Sequence, residues 1–296
     1  MSELVVRDLS PSLGSEVRGL TPEIPLRDDL IAELRALFDA RSVLVFPELD
    51  IDEAFQQYLC STLNGDAVPE WVLAEVGAPE RDHKTQIVSN RAEGADAPYG
   101  RLLFHCDAMW ARTPVGVISL YAVEVEEPTI PTLFVSMADA WDSLPSELQE
   151  RVSDLRARHG FEGSYPNRNG DEDVVDAVFP VSRFTTKPVA NPHPRTGRTG
   201  LYVSEQATIE VLDLDPEENE ALLAELFAHL YGTQQVLSVD WHRHDLIVWD
   251  NRAVQHARPT VALDGPNRTL RKCLSALVLD PDENLSMPAF SKRDDR

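Results

Sequence analysis

Cysteine is scarce in this sequence. The three present, Cys60, Cys106 and Cys273, lie far apart, form no CxxC pair and are odd in number. That argues against a disulfide framework and fits a reducing compartment. No stretch approaches the roughly 18–20 uninterrupted apolar residues of a membrane helix. The longest apolar run, near Val115 to Val125, is broken by Ser119 and Glu124. The N-terminus, MSELVVRDLS, lacks the basic flank and apolar centre of a signal peptide. A cytoplasmic protein without membrane association is therefore expected. Basic residues are also few: 27 Lys and Arg stand against 50 Asp and Glu, a net charge of −23. A polyanion would be repelled, which makes nucleic acid a poor partner. GxGxxG and a regular βαβ alternation are both missing.

What remains is the composition of an ordinary globular enzyme, 43 % hydrophobic and 26 % charged. The 296 residues suffice for one large core, and we read a single domain over 1–296. Leu30, Ile31, Leu34, Leu37 and Phe38 recur at helical spacing within 27–40. SVLVFP at 42–47 reads as a buried strand, and a second helix is expected from Asp52. Residues 115–125 are strand-like, and short helices are expected from Met137 and from Ser146. Asp215-Pro216-Glu217-Glu218 has the cap, proline and acids of a helix start, and that helix should stop at Gly232. QVLSV, DLIVW and TLRKCLSALVL read as strands. The polar stretches at about 64–101 and 160–200 look like long surface excursions. The predicted class is α+β, with a β-sandwich or jelly-roll core and flanking helices.

Phe104-His105-Cys106-Asp107 is the sharpest local feature. On an extended strand alternate residues share a face, so His105 and Asp107 would point the same way, about 7 Å apart at their Cα atoms. Residues 245–258, DLIVWDNRAVQHAR, supply a strand, a turn and His256. Two histidines and one carboxylate on one side of a metal are the ligand set of non-haem iron(II), with positions left for a co-substrate and dioxygen. Arg268 then opens an apolar strand, sharing a face with Leu270 and Lys272, while Arg271 faces away. A guanidinium on the metal side suits a carboxylate ligand.

With these motifs the chain resembles the taurine dioxygenase and 2,4-dichlorophenoxyacetate dioxygenase family, from about Leu4 to Asp280. The resemblance rests on LSPSLGSEVRGL, RALFDARSVLVFPELDI, FHCD, PTLFVSM, HPRTGRTGLYV and IVWDNRAVQHAR. It implies an α+β fold with a double-stranded β-helix (jelly-roll) core and iron(II) held by His105, Asp107 and His256. It further implies 2-oxoglutarate as co-substrate with dioxygen, its distal carboxylate held by Thr132 and Arg268. The implied reaction couples oxidative decarboxylation of 2-oxoglutarate to oxidation of a small polar metabolite, with succinate and carbon dioxide released. The presence of Asp107 favours hydroxylation, desaturation or cyclisation over halogenation.

The sequence departs from the family pattern in three places. The second family arginine, four residues after the first, is replaced by Lys272, the candidate here for binding the keto-acid end of 2-oxoglutarate or an anionic substrate, with Arg271 beside it; lysine offers a point charge rather than a fork. Thr129-Ile130-Pro131 stands where a Gly-Gly pair is usual. His244, in a cluster with His242, replaces a small residue, and a surface or packing role is expected for it. Trp71, Asn90, Arg91, Tyr99, Tyr165 and Arg168 lie in the excursions where family members contact substrate, and Met109 and Trp110 are candidate pocket walls. A homo-oligomer is compatible with the resemblance. Two rival readings are a cupin-like or hydrolytic metal enzyme that does not use 2-oxoglutarate, and a non-catalytic jelly-roll binding protein.

Overall fold

The computed structural model describes residues 4–66, 86–112, 115–162, 164, 166–168, 170–175, 177–178, 182–232, 236–275 and 289–290. Strands β1 (Val5–Asp8) and β2 (Ser15–Arg18) precede helix α1 (Asp28–Arg41) and β3 (Val43–Phe46). Helix α2 (Glu53–Asn64) starts where the Asp52 carboxylate accepts the Phe55 N–H and ends at a left-handed Gly65. Next come β4 (Gln86–Ser89), β5 (Gly100–His105), β6 (Val117–Val125), β7 (Thr132–Ser136), α3 (Met137–Asp142) and α4 (Ser146–Val152). After β8 (Arg156–Phe161) lie β9 (Ala177–Val178), β10 (Arg183–Pro188), β11 (Ala190–Pro192), β12 (Thr199–Leu201) and β13 (Thr208–Val211). Helix α5 (Pro216–Gly232) has the expected Asp215 cap, bonded to the Glu218 N–H. It is followed by β14 (Leu237–Val239), β15 (Leu246–Asp250), β16 (Val254–Val261), β17 (Arg268–Leu274) and β18 (Ala289–Phe290).

Two sheets carry the architecture, one ordered β1-β2-β3-β15-β6-β17-β4 and the other β14-β7-β16-β5. They pack face to face. Val43, Ile118, Leu120, Ile247, Trp249 and Leu270 from the larger sheet share one core with Phe134, Leu237, Val239 and Val254 from the smaller. The alternate residues of the same strands, Leu44, Phe46, Val117, Tyr121, Leu246 and Val248, face α1 and α2 on the outside. Both faces of β3 and β15 are thus covered. This is why VLVF and LIVW read as continuous apolar runs rather than alternating ones. Helices α3 to α5 cover the outside of the smaller sheet through Val135, Leu222 and Leu226.

The two expected excursions are more ordered than their polarity suggests. Within 64–101, β4 is the edge strand of the larger sheet; residues 67–85 lie outside the described residues. Within 160–200, β10 pairs with β8 in a three-stranded sheet and β11 pairs with β12. These strands have few fully buried residues, so the apolar alternation that marks a strand in sequence is weak there. The β11–β12 turn is tied to the larger sheet by Arg195, which bridges Asp39 and the buried Asp250, while His193 Nε2 lies 3.1 Å from Asp250.

On β8 the fully buried His159 faces Thr208 through Nδ1 at 3.0 Å and packs edge-on to Tyr202. Burial, aided by the nearby Lys187 charge, lowers its pKa from 6.5 to about 3. The folded state therefore holds His159 neutral where the unfolded chain would protonate it. Its contribution is intact above about pH 6.5 and lost as pH falls toward 3, at about 1.4 kcal/mol per pH unit. In urea titrations between pH 7 and 4, His159→Gln is expected to show a shallower loss of stability than the parent. Parallel curves would remove His159 from the acid response.

Candidate active site

The site begins with a cross-strand pair. His105 ends β5, and β16 pairs antiparallel so that His256 stands directly opposite it. Directly opposed residues project to one face, and the imidazole centroids are 4.2 Å apart. Both rings point into the space between the sheets, where Trp249 packs at 4.8 Å from the His256 ring. The His105 Nδ1 lies 2.7 Å from the Leu103 carbonyl, which fixes Nδ1 as the protonated nitrogen and leaves Nε2 as a lone-pair donor. Burial holds the His256 pKa well below the ordinary value, so this ring is a neutral ligand.

Asp107 departs from the extended geometry expected of it. The strand stops at His105, and Asp107 sits in a turn that places Ala108 at φ 54°. The cause is Asn251, a buried residue in the turn between β15 and β16. Its Oδ1 accepts the Asp107 N–H at 2.8 Å, and its Nδ2 donates to the carbonyls of Asp107 and Val115. The ladder loses one bond and the carboxylate is aimed at the histidines. Asp107 Oδ1 is 3.2 Å from His105 Nε2 and 3.7 Å from His256 Nε2. Ligand atoms of the three residues all lie within 4.8 Å of one another, the only such metal-competent group among the described residues. The set consists of two imidazole nitrogens and one carboxylate oxygen, and it fits a divalent cation.

Lys272 reaches this carboxylate: its Nζ bonds Asp107 Oδ2. Burial by itself would raise the Asp107 pKa, but the Lys272 ammonium outweighs it and holds the carboxyl well below the usual range. Arg271 points the other way, as its strand parity requires. It donates to Gln56 Oε1 and the Ile51 carbonyl and lies over the Tyr121 ring.

Arg268 lies on the same face as Lys272, four residues before it. It is 5 % exposed, donating to the Ile130 carbonyl and to Thr132 Oγ1 at 3.3 Å. Thr132 Oγ1 also accepts from Trp241 Nε1 at 3.1 Å. No carboxylate pairs with this guanidinium among the described residues. Burial and the neighbouring Arg258 push its pKa well below the ordinary value. A buried cation with only neutral acceptors is a built receptor for an anion.

Several residues missed by sequence reasoning support this frame: Trp241, Asn251 and Arg258. The last is buried and donates to the carbonyls of Ala97, Tyr99 and Gly100. Only contacts between distant segments reveal these roles. Of the expected substrate contacts, Asn90 braces the β16–β17 turn and the Arg268 N–H instead, Arg91 caps Leu263 and Gly265, and Arg168 binds Glu220 and two carbonyls. Met109 is fully buried among Cys106, Met137 and Tyr202 and is a core residue rather than a pocket wall; Trp110 packs edge-on to Phe161. Trp71 and Tyr165 lie outside the described residues. His244 stacks on Tyr121, the packing role expected of it.

Known proteins share this arrangement of elements. Residues 6–274 match the model of the taurine catabolism dioxygenase TauD, TfdA family. Pentalenolactone F synthase from Streptomyces arenae is 27 % identical over 91 % of this chain and 93 % of its own length. The alpha-ketoglutarate-dependent 2,4-dichlorophenoxyacetate dioxygenase of Cupriavidus pinatubonensis is 26 % identical over 86 % of this chain and 91 % of its own. Among solved structures, AAD-2 in complex with Mn(II) and N-oxalylglycine superposes with a TM-score of 0.72 at 22 % identity, over 92 % of this chain and 97 % of that one. A taurine dioxygenase from Burkholderia xenovorans gives 0.69 at 20 % identity, over 98 % and 96 %. No described helix is long and apolar enough to cross a membrane. The chain belongs to the TauD/TfdA family and is a 2-oxoglutarate-dependent dioxygenase.

Proposed function

We propose that His105, Asp107 and His256 hold iron(II), that Arg268 and Thr132 hold the distal carboxylate of 2-oxoglutarate, and that the enzyme hydroxylates a C–H bond of a small polar metabolite. The observation that carries this reading is the convergence of two imidazoles and one carboxylate beside a buried arginine that has no acidic partner among the described residues. The two facing sheets would form the jelly-roll core of one domain spanning 1–296. Three buried free cysteines agree with a cytoplasmic setting.

Iron(II), 2-oxoglutarate and dioxygen together supply the oxidant, with succinate and carbon dioxide as by-products. The protein's own share is placement. Leu103 and Asn251 fix the tautomer of His105 and the aim of Asp107. Arg268 anchors one end of the keto-acid so that its other end meets the metal. Trp249 and Phe134, packed against each other and beside His256, keep that end of the site dry.

Anaerobic titration tests the reading. Iron(II) and 2-oxoglutarate added together should produce a weak visible absorption band that neither gives alone, and air should then release succinate. Iron binding with no band would favour a cupin-like metal enzyme, and no iron binding a non-catalytic protein; either result overturns the proposal.

A further inference from the structure

Asp96 belongs to none of the groups assigned above. Cross-strand register fixes where it points. On β17, Leu270 pairs with Val88 and Lys272 with Gln86. Val88 in turn bridges to Asp96. Directly paired residues project to one face. Asp96 therefore projects to the face of the larger sheet that carries Arg268, Leu270 and Lys272. Its backbone is held there: its N–H donates to the Ile87 carbonyl at 2.7 Å, and the carbonyl of the next residue, Ala97, is taken by Arg258.

The Asp96 side chain is half-buried and makes no hydrogen bond or ion pair among the described residues. Burial raises its pKa; Lys272 opposes that and Asp107 adds to it, so the carboxyl sits within electrostatic range of both. Lys272 makes no hydrogen bond or ion pair with it among the described residues; its ammonium is bonded to Asp107. A partly desolvated acid without a partner is costly unless something arrives to pair with it. Beside a site that already holds one cation on a carboxylate, this extra acid makes the mouth unwelcoming to a simple anion and receptive to a donor.

We propose that Asp96 is a specificity-determining residue that accepts a hydrogen bond from a protonated amine of the primary substrate. The substrates selected are amino-bearing small molecules, zwitterions included, rather than simple carboxylates or sulfonates. The strongly acidic surface works in the same direction, steering cations toward the protein. This inference rests on the iron and 2-oxoglutarate assignments made above.

A paired panel tests it: free α-amino acids and simple amines, their N-acetyl derivatives, and the matching carboxylates. Each is added to the iron(II)- and 2-oxoglutarate-loaded protein. Anaerobic calorimetry reads binding, and succinate release reads coupling. Members with a free amine should bind and stimulate turnover, and N-acetylation should abolish both. Asp96→Asn should weaken amine binding by about tenfold or more, and Asp96→Lys should shift the preference to the carboxylates. In both variants the 2-oxoglutarate affinity and the visible band report an intact fold and site. Stimulation confined to anions, an amine half of the panel that neither binds nor stimulates, or an Asn variant that binds amines like the parent overturns the inference. Loss of the visible band in the parent protein would instead overturn the underlying site assignment.

Discussion

Asp107→Ala is expected to abolish substrate-coupled succinate release and to weaken iron(II) binding by at least about 100-fold. Two effects add. The substitution deletes the one anionic ligand of the three, and it leaves the Lys272 ammonium, now without its partner, pointing at two imidazoles. A cation a few ångströms from the metal position repels a second cation strongly where the surroundings are desolvated. Charge thus works against the metal in the variant where it worked for it in the parent. Asp107→Asn separates charge from shape, since it keeps the shape and loses the charge. It should fall close to the alanine variant in iron affinity, because the ammonium is left unopposed in both. Anaerobic iron(II) titration followed by succinate measurement checks this. An alanine variant with parental turnover would take Asp107 out of the metal site.

The same residues show what a sequence can and cannot disclose. His105 and Asp107 were legible because they lie two apart after an apolar strand, and side chains at that spacing share a side. The inferred side is right although the strand does not extend so far. The bend comes from Asn251, some 144 residues away, whose amide captures the Asp107 N–H. No local propensity encodes such a bond. The parity of β17 was also legible: Arg268 and Lys272 face the interior while Arg271 reaches α2. Strand parity needs only the period of two. Strands β4 and β10 to β12 were not legible, since sheet-edge segments with few buried residues carry little apolar alternation and look like loops. Met109 was ambiguous for a related reason: a methionine that lines a pocket and one that fills a core have the same sequence signature. The partners of Arg268 depend on Trp241 and Thr132, which come from different segments and meet only in the folded sheet pair.

Arg268→Leu should separate function from stability. The guanidinium is buried, has no acidic partner among the described residues, and makes two hydrogen bonds of 3.2 and 3.3 Å to neutral oxygens. Each such bond is worth roughly 1.5–3 kcal/mol. Desolvating the charge costs several kcal/mol, and the adjacent Arg258 adds repulsion. The two terms are of similar size and opposite sign, and leucine fits a strand whose neighbouring in-facing residue is also leucine. The unfolding free energy of the variant should therefore stay within about 1 kcal/mol of the parent or rise above it. Function should respond very differently, because the charge-assisted fork to the keto-acid carboxylate is lost: the KM for 2-oxoglutarate should rise by roughly 100-fold. Arg268→Lys should recover only part of that loss, since a point charge on a shorter hydrogen-bonding reach cannot reproduce the fork. Urea unfolding and 2-oxoglutarate titration of the same preparations decide the matter. A leucine variant that is strongly destabilised while its KM stays unchanged would make Arg268 a structural residue and leave the keto-acid without its anchor.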